Sequence, residues 1–428
     1  MNLSFANATI ETTTSDISVS ELRVKRPNRL FVDPGQIIDI SFQANSFRDN
    51  ADRSVPATVA YVGESDIGLK LHQKHLSDHD LDRLRASAPG WRRWYARSRR
   101  LLWRNTRRFA VLAANTVLRP LIIALVKPRF VFAVYGNEKD AETYFTPGLV
   151  KLMPPNLVLG FIRNQNVRGL LVASQSLEHT LQADSDKVRD YIDELHKDFP
   201  QTERIALVGR LPNFVKKAGI DITAPLVEGS LGTRYMIWDI ARQMRERSEY
   251  AQYRSIVVLG GAGRIGNAVC EDLTSLYEHV VALDPRYEKE TEIDTGHGTV
   301  LRTADVTRLH HEHLYICLTH HGDVVLEFYD HMPAGAMIAD DTHPCISLEA
   351  RTRLKANGIT VEKVVLSHDQ FLMWPRMPAW NNRAIPGCLV EALVLLQRPE
   401  LDGSEFLSFC REAEAMGFAG RLIRPLEE

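Results

Sequence analysis

The chain has 428 residues, 44% hydrophobic and 25% charged, with a formal net charge of −2. That length predicts two or three domains with a large core, and the balanced charge excludes bulk attraction to nucleic acid. The five cysteines (270, 317, 345, 388 and 410) form no CxxC and are odd in number; with no secretory signal at the start, they read as reduced thiols in a cytoplasmic protein.

Residues 1–88 alternate in short apolar runs with almost no helical period. Glu21-Leu22-Arg23-Val24, Ile37-Ile38-Asp39-Ile40-Ser41-Phe42, Ala57-Thr58-Val59-Ala60-Tyr61-Val62 and Ile67-Gly68-Leu69-Lys70-Leu71 read as strands, with a turn at Asp33-Pro34-Gly35 and a helical tail near 77–87. This pattern predicts a small all-β barrel. Asp16-Ile17-Ser18-Val19-Ser20-Glu21-Leu22 and the late strand ending Ile67-Gly68-Leu69 resemble the PilZ domain, the bacterial cyclic di-GMP receptor barrel. The family's pattern is Asp/Asn-x-Ser-x-x-Gly, and Glu21 stands here in place of its glycine. Its arginine pair, spaced RxxxR before the first strand, is absent; that spacing occurs instead at Arg93/Arg97 and Arg104/Arg108. Such arginines grip phosphates and stack on guanines. The segment therefore reads as a degenerate PilZ-like barrel, a docking or regulatory module rather than a competent cyclic di-GMP receptor.

Residues 89–128 form a basic, apolar linker. Positions 91–108 carry eight arginines, three tryptophans and no acid, and on a helix Trp91, Trp94, Tyr95 and Leu102 share a face. The apolar run 109–126 is broken at Arg119-Pro120. A spanning helix would set that arginine near the bilayer centre at a cost of about 2.5–3.5 kcal/mol, and the run is short for a span. Two readings remain: an amphipathic helix on an anionic membrane surface through 91–126, or a linker packed between domains with a solvated arginine face.

From 129 the pattern becomes α/β. Strands are expected at Arg129-Phe130-Val131-Phe132-Ala133-Val134-Tyr135, Gly169-Leu170-Leu171-Val172-Ala173 and Arg204-Ile205-Ala206-Leu207-Val208, with helices over 185–198 and 230–247. This makes 129–250 a substrate domain. A Rossmann dinucleotide-binding domain is expected over 251–385, and helices over 386–428 are expected to pack back on the substrate domain.

The Rossmann reading rests on 256–284. The buried run Ile256-Val257-Val258-Leu259 meets Gly261-Ala262-Gly263-Arg264-Ile265-Gly266, which opens a helical period at Ile265, Val269, Leu273 and Leu276. A second run, His279-Val280-Val281-Ala282-Leu283, ends in Asp284. Strand, glycine turn, helix, strand and acid together make the dinucleotide fingerprint. Gly261, Gly263 and Gly266 let the backbone approach a pyrophosphate, and Arg264 and Ile265 begin the helix whose N–H groups face it. Asp284 favours the ribose hydroxyls of NAD(H) over the 2′-phosphate of NADP(H), although Arg286 offsets that repulsion.

Loops at the carboxyl ends of the next strands face the nicotinamide in such a sheet. Thr319-His320-His321-Gly322-Asp323 and Asp340-Asp341-Thr342-His343-Pro344-Cys345 occupy those places, so Thr319 lies beside the cofactor. His320, His321 and His343 are candidates for acid–base work, because histidine titrates near neutrality; the plainer reading is polar loops at a crevice. His310-His311-Glu312-His313 lacks a spaced partner pair and reads as a solvated turn, not a metal site. Pro386-Gly387-Cys388 opens an apolar helix, where a thiol meets free N–H groups and the helix dipole, which would lower its pKa; a buried structural cysteine is the rival reading.

Over about 129–420 the chain resembles the long-chain acyl-acyl-carrier-protein reductases, which form fatty aldehydes. The resemblance is carried by Gly219-Ile220-Asp221-Ile222, by Glu228-Gly229-Ser230-Leu231-Gly232-Thr233-Arg234-Tyr235, by the turn 260–266 with Asn267-Ala268-Val269-Cys270, and by Gly387-Cys388-Leu389-Val390-Glu391-Ala392-Leu393. It implies Cys388 as acyl acceptor, NADPH as the family's usual reductant, and acyl carrier protein or acyl-CoA as the substrate carrier. Asp284 departs from the NADPH habit. Two further functions fit the sequence. One is a thiol-independent dehydrogenase of a small hydroxy or amino acid using His320, His321 or His343. The other is an NAD(H)-binding regulatory protein without turnover.

Overall fold

The computed structural model describes residues 105–144, 153–375 and 384–423, and seven strands between residues 2 and 71. The chain divides into two compact units, 1–106 and 107–428.

The first unit contains β1 (Asn2–Phe5), β2 (Ala8–Glu11), β3 (Thr14–Ile17), β4 (Glu21–Lys25), β5 (Ile37–Phe42), β6 (Arg53–Val62) and β7 (Asp66–Leu71). They pair antiparallel in the order β2-β1-β5-β6-β7-β4-β3. Four of these follow the runs named from the sequence, and β1, β2 and β3 fall in the same alternating stretch, ahead of them. Among the described residues β2 and β3 stand at opposite ends, and no pairing between them closes a barrel. Ser18, Val19 and Ser20 of the PilZ-like stretch, the tail 77–87 and the basic run 91–104 lie outside the described residues.

The second unit holds two sheets. The first has the order β12-β11-β8-β10-β9-β20, built from β8 (Phe130–Val134), β9 (Asn156–Asn164), β10 (Val167–Ser174), β11 (Arg204–Leu207), β12 (Leu226–Val227) and β20 (Phe371–Trp374). Strands β12, β11, β8 and β10 run parallel, β9 runs against them, and β20 pairs antiparallel with β9 and so points the same way as the other four. The helix Ser185–Asp198 covers one face. Asp184 caps it by accepting the N–H groups of Asp186 and Lys187, and Val188, Tyr191, Ile192 and Leu195 fill its buried stripe. The Tyr191 hydroxyl donates to the carbonyls of Val134 and Val172 at 3.0 and 3.1 Å, tying the helix to β8 and β10.

The second sheet contains β13 (Ser255–Leu259), β14 (His279–Leu283), β15 (Thr291–Asp294), β16 (Thr299–Thr303), β17 (Leu314–Cys317), β18 (Met337–Asp340), β19 (Thr360–Ser367), β21 (Ala384–Ile385) and β22 (Ala419–Ile423). Its parallel part reads β16-β14-β13-β17-β18-β19, which is the 3-2-1-4-5-6 order of a doubly wound Rossmann sheet. Strands β15, β21 and β22 add antiparallel edges. Burial on both faces explains the unbroken apolar runs: Ile256 and Val258 face one cluster, Val257 and Leu259 the other.

Two segments cross the domain limits expected from sequence. Phe371–Trp374 leaves the Rossmann segment to pair with β9 of the first sheet, and Ala419–Ile423 leaves the C-terminal segment to pair with β19 of the second. The stretch Gly219-Ile220-Asp221-Ile222 forms no regular element.

The central helix Ser230–Glu246 and the cysteine helix Gly387–Gln397 lie in a core that draws on both sheets. They meet at their N-termini through glycines. A Cβ on Gly232 would sit 2.1 Å from the Gly387 carbonyl oxygen, and one on Gly387 would sit 2.6 Å from the Thr233 Cα. Along its middle the central helix is held by the Tyr235 hydroxyl, which donates to the Phe418 carbonyl at 2.6 Å, and by Asp239, which accepts the Gly420 N–H at 2.7 Å.

Candidate functional site

The glycine turn leaves β13 through Gly260, whose φ of +92° suits glycine alone at low cost. A Cβ there would also lie 2.9 Å from the Leu318 carbonyl oxygen. The N–H groups of Gly260 and Gly261 both approach the Leu283 carbonyl, at 2.9 and 3.3 Å, so the turn is tied across the end of β14. Side chains are excluded at two further positions: a Cβ on Gly261 would meet the Ala282 Cβ at 2.7 Å, and one on Gly266 the Gly260 carbonyl oxygen at 2.2 Å. Gly263 caps the helix Arg264–Leu273 with extended backbone. No carbonyl within that helix satisfies the first-turn N–H groups of Arg264 and Ile265, which form the anion-facing end. Gly260 lies one residue before the Gly-x-Gly spacing, so the motif does not mark it; the doubled glycine at 260–261 is the signal that could have.

Asp284 ends β14 and is 3% exposed. Its carboxylate accepts the Ala262 N–H at 3.1 Å, the Arg286 N–H at 3.1 Å, and Nε and Nη2 of Arg286 at 2.8 and 2.7 Å. Burial opposes ionisation here, but the hydrogen bonds from Arg286 and Ala262 outweigh it and hold the carboxyl below the usual carboxylate range. Asp284 and Arg286 therefore act as a unit under the turn. Arg264 turns to Glu228, Nη1 to Oε1 at 2.8 Å, and Lys216 reaches the same oxygen at 2.6 Å.

Glu228 leads directly to the cysteine. Gly229 has φ +83°, and a Cβ on it would lie 2.4 Å from the Cys388 Cβ. Gly229, which touches Cys388, is thus the neighbour of the acid that pairs with Arg264, the first residue of the helix after the glycine turn. The thiol is partly buried, and burial pushes its pKa up to about 12, with the Gly209 N–H pulling down and Asp341 pushing further up. This corrects the expectation of a lowered pKa: desolvation exceeds the stabilisation from the helix start, and the sulfur rests as a thiol. Three residues on, Glu391 is buried and accepts the Gly232 N–H at 3.2 Å, capping the central helix. Burial pushes its carboxyl up to about 7, against the N–H groups of Gly232, Leu231 and Gly229.

The histidines are placed otherwise. His320 is exposed, and His343 is exposed in the following loop. Nδ1 of His321 accepts the Asp323 N–H at 3.1 Å, and the Thr319 hydroxyl donates to the His321 carbonyl at 2.8 Å, so both organise the turn after β17. His310, His311 and His313 make no such centre: among the described residues no three His, Cys, Asp or Glu side chains converge to hold a metal.

Asp341 belongs to no sequence motif, and only the fold brings it forward. It follows β18 with its N–H on the Cys317 carbonyl at 3.1 Å. Burial pushes its carboxyl up to about 7; Lys363 pulls down, and the neighbouring Asp340 pushes up. Lys363 sits opposite Asp340 on β19 and donates to the Thr342 carbonyl at 2.8 Å. Asp340 is fully buried and accepts the N–H groups of Thr342 and Ile346, both at 2.9 Å, which fixes the loop.

On the first sheet, Tyr135 after β8 accepts the Arg210 N–H at 3.1 Å on its hydroxyl oxygen. Beside it an open cleft of ≈ 590 Å³ is lined by Asn137, Glu138, Glu178, His179, Gln182 and Arg210. Arg210 pairs with Glu178 at 3.2 Å. Gly209, the preceding residue, is the one whose N–H meets the Cys388 sulfur, so the polar cleft and the thiol adjoin.

No family model matches this chain, and no curated protein matches it. Among solved structures it is similar to L-tryptophan dehydrogenase from Nostoc punctiforme, at 12% identity over 68% of this chain and 79% of that one, with a TM-score of 0.33. The dipicolinate synthase A protein from Bacillus halodurans is similar at 16% identity over 47% and 69%, with a TM-score of 0.26. Its counterpart from Bacillus subtilis is similar at 13% identity over 42% and 60%, with a TM-score of 0.22. Likeness at these scores carries no weight for activity, and the Rossmann assignment rests on the strand order and turn geometry of this chain.

Proposed function

We propose that the chain is a nicotinamide-dependent oxidoreductase that reduces an acyl thioester to an aldehyde. The observation carrying the oxidoreductase reading is the glycine-rich turn 260–266, where Gly260, Gly261 and Gly266 leave no room for a Cβ and which stands over the buried Asp284. Such a turn fits a dinucleotide: Gly261, Gly263 and Gly266 with the N–H groups of Arg264 and Ile265 would hold the pyrophosphate, and Asp284 with Arg286 would meet the adenine-side ribose. Asp284 supports NAD(H) as the preferred form, and Arg286 supports use of NADP(H). When bound, the reduced nicotinamide supplies a hydride.

Cys388 supports the thioester reading through its place beside Gly229, one residue from the partner of Arg264. Because the thiol rests protonated, it needs a base, and Asp341 is near enough for its charge to act on the sulfur. Asp341 removes the Cys388 proton as the sulfur attacks the thioester carbon. The new S–C bond forms, the carrier's thiolate leaves, and it takes up the proton from Asp341. A hydride from bound nicotinamide would displace the Cys388 sulfur and free the aldehyde, and Asp341, having given its proton to the carrier's thiolate, relays a proton from solvent to the sulfur. Burial raises the Asp341 carboxyl to about 7, with Lys363 limiting the rise, so that it both accepts and returns a proton.

The test is the intact mass of the protein after incubation with acyl-CoA and acyl carrier protein thioesters. Wild type should gain one acyl mass and Cys388→Ala none; absence of an adduct on wild type refutes the covalent route. A second reading is favoured by one observation, the six polar residues of the adjoining cleft, which suit a small polar hydroxy or amino acid better than a long acyl chain. Turnover of such a substrate surviving Cys388→Ala selects that reading.

A further inference from the structure

Of the nine large hydrophobic residues exposed among the described residues, five lie between 109 and 125. Two helices form this region, Asn105–Asn115 and Arg119–Val126, bent by 76° at the break between them. No single helix among the described residues is long and apolar enough to cross a membrane.

The break is pinned to the domain by polar groups turned inward. Asn115 is buried, donating to the Val158 carbonyl at 3.0 Å and accepting the Val158 N–H at 2.6 Å. Arg119 binds the Asn156 carbonyl at 2.6 Å and Asp198 at 2.5 Å. The arginine that spoils a spanning helix is thus neutralised inside the protein. Ile122, Ile123 and Val126 pack on the core beneath the first sheet. The opposite side is left apolar: Val117, Leu121 and Leu125 recur every four residues and are 82%, 55% and 67% exposed, with Phe109 and Leu118 also exposed.

Charge identifies what covers this face. Between Asp82 and Glu138 the chain has no acid and thirteen Arg and Lys residues, eleven besides Arg119 and Arg129, which pair with Asp198 and Glu203. Interfacial aromatics (Trp91, Trp94, Tyr95 and Trp103) stand in the same stretch. A second copy meeting this face about a two-fold axis would bring two such cationic stretches together, which like-charge repulsion opposes. An anionic lipid surface matches both the apolar and the cationic character.

We infer that the bent pair 105–126 is a docking face for an anionic membrane surface, with Val117, Leu121 and Leu125 entering the headgroup boundary and cations next to it in sequence meeting lipid phosphates. The attachment lies flat on the membrane and does not span it. It is independent of the reaction assigned to the cleft.

The test is co-sedimentation of the full chain with phosphatidylcholine vesicles, with and without phosphatidylglycerol. The face predicts at least about tenfold stronger partitioning onto the anionic vesicles, weakened by salt. L121E/L125E should cut that partitioning by at least about tenfold. Its circular dichroism and dinucleotide binding should match wild type, because both positions are exposed. Equal partitioning onto both vesicles, no partitioning onto either, or partitioning unchanged in L121E/L125E overturns the inference. So does a wild-type dimer that ignores vesicles and becomes monomeric in L121E/L125E, which assigns the face to a second copy.

Discussion

Replacing Glu391 with Gln tests whether the joint between the central and cysteine helices is built as described. The carboxyl is 6% exposed and pushed up to about 7, whereas the unfolded chain ionises it near 4.5. Between those values the folded state holds a proton that the unfolded state has lost, so this group's contribution to stability falls as pH rises through that window. A gap of about 2.5 pKa units at about 1.36 kcal/mol each amounts to about 3 kcal/mol, of which about 2.5 kcal/mol falls between pH 5 and 8. Glutamine presents a carbonyl oxygen to the same N–H groups and carries no charge. Its amide adds an offset that does not vary with pH. Asp341 titrates in the same direction in both proteins and cancels in the difference. Urea unfolding of wild type and E391Q should therefore give a stability difference that shifts toward the variant by about 2–3 kcal/mol from pH 5 to pH 8. Parallel pH curves would refute the reasoning, because they would mean that folding does not raise the Glu391 pKa above its unfolded value.

Three other outcomes follow from the same geometry. Asp341→Asn should remove the acid limb near pH 7 from the kcat/KM profile, since the protonated form of Asp341 cannot accept the Cys388 proton; a profile with the limb intact assigns it to another group. Asp284→Ser frees the Arg286 guanidinium from both carboxylate oxygens, so the ratio of kcat/KM for NADPH over NADH should rise at least about tenfold, and an unchanged ratio places the pair away from the ribose. Gly229→Ala puts a Cβ at φ +83° and 2.4 Å from the Cys388 Cβ, so thermal melting should show a loss of about 2–3 kcal/mol, and wild-type stability would mean the two helix starts are not in contact.

The Rossmann half is legible in the sequence because its signals are local. Strand, turn, helix and acid fall within 256–284, and each is dictated by neighbours a few residues away. The first sheet is less legible because its antiparallel strands are completed at long range: Phe371 pairs with Asn164 across more than 200 residues, and no periodicity records that. The candidate site divides in the same way. Gly261 and Gly266 are readable because crowding leaves no room for a Cβ there, and Gly263 and Asp284 because they fall at the fingerprint's spacing. The proposed acid–base group, Asp341, is not. Intrinsic pKa favours histidine, but His321 is spent on a turn while burial beside Asp340 brings an ordinary aspartate to neutrality. The reversal at Cys388 has the same origin, for helix position is written in the sequence and desolvation is not.

The central claim is that paired phosphates rest on the turn 260–266, and titration of the protein with NADH and NADPH, followed by nicotinamide fluorescence, tests it most directly. Wild type should bind at least one of the two saturably. Gly266→Ala, whose Cβ would lie 2.2 Å from the Gly260 carbonyl oxygen, should lose at least about tenfold in affinity while retaining its circular dichroism. Failure of wild type to bind either dinucleotide, or equal affinity in Gly266→Ala, would contradict the account.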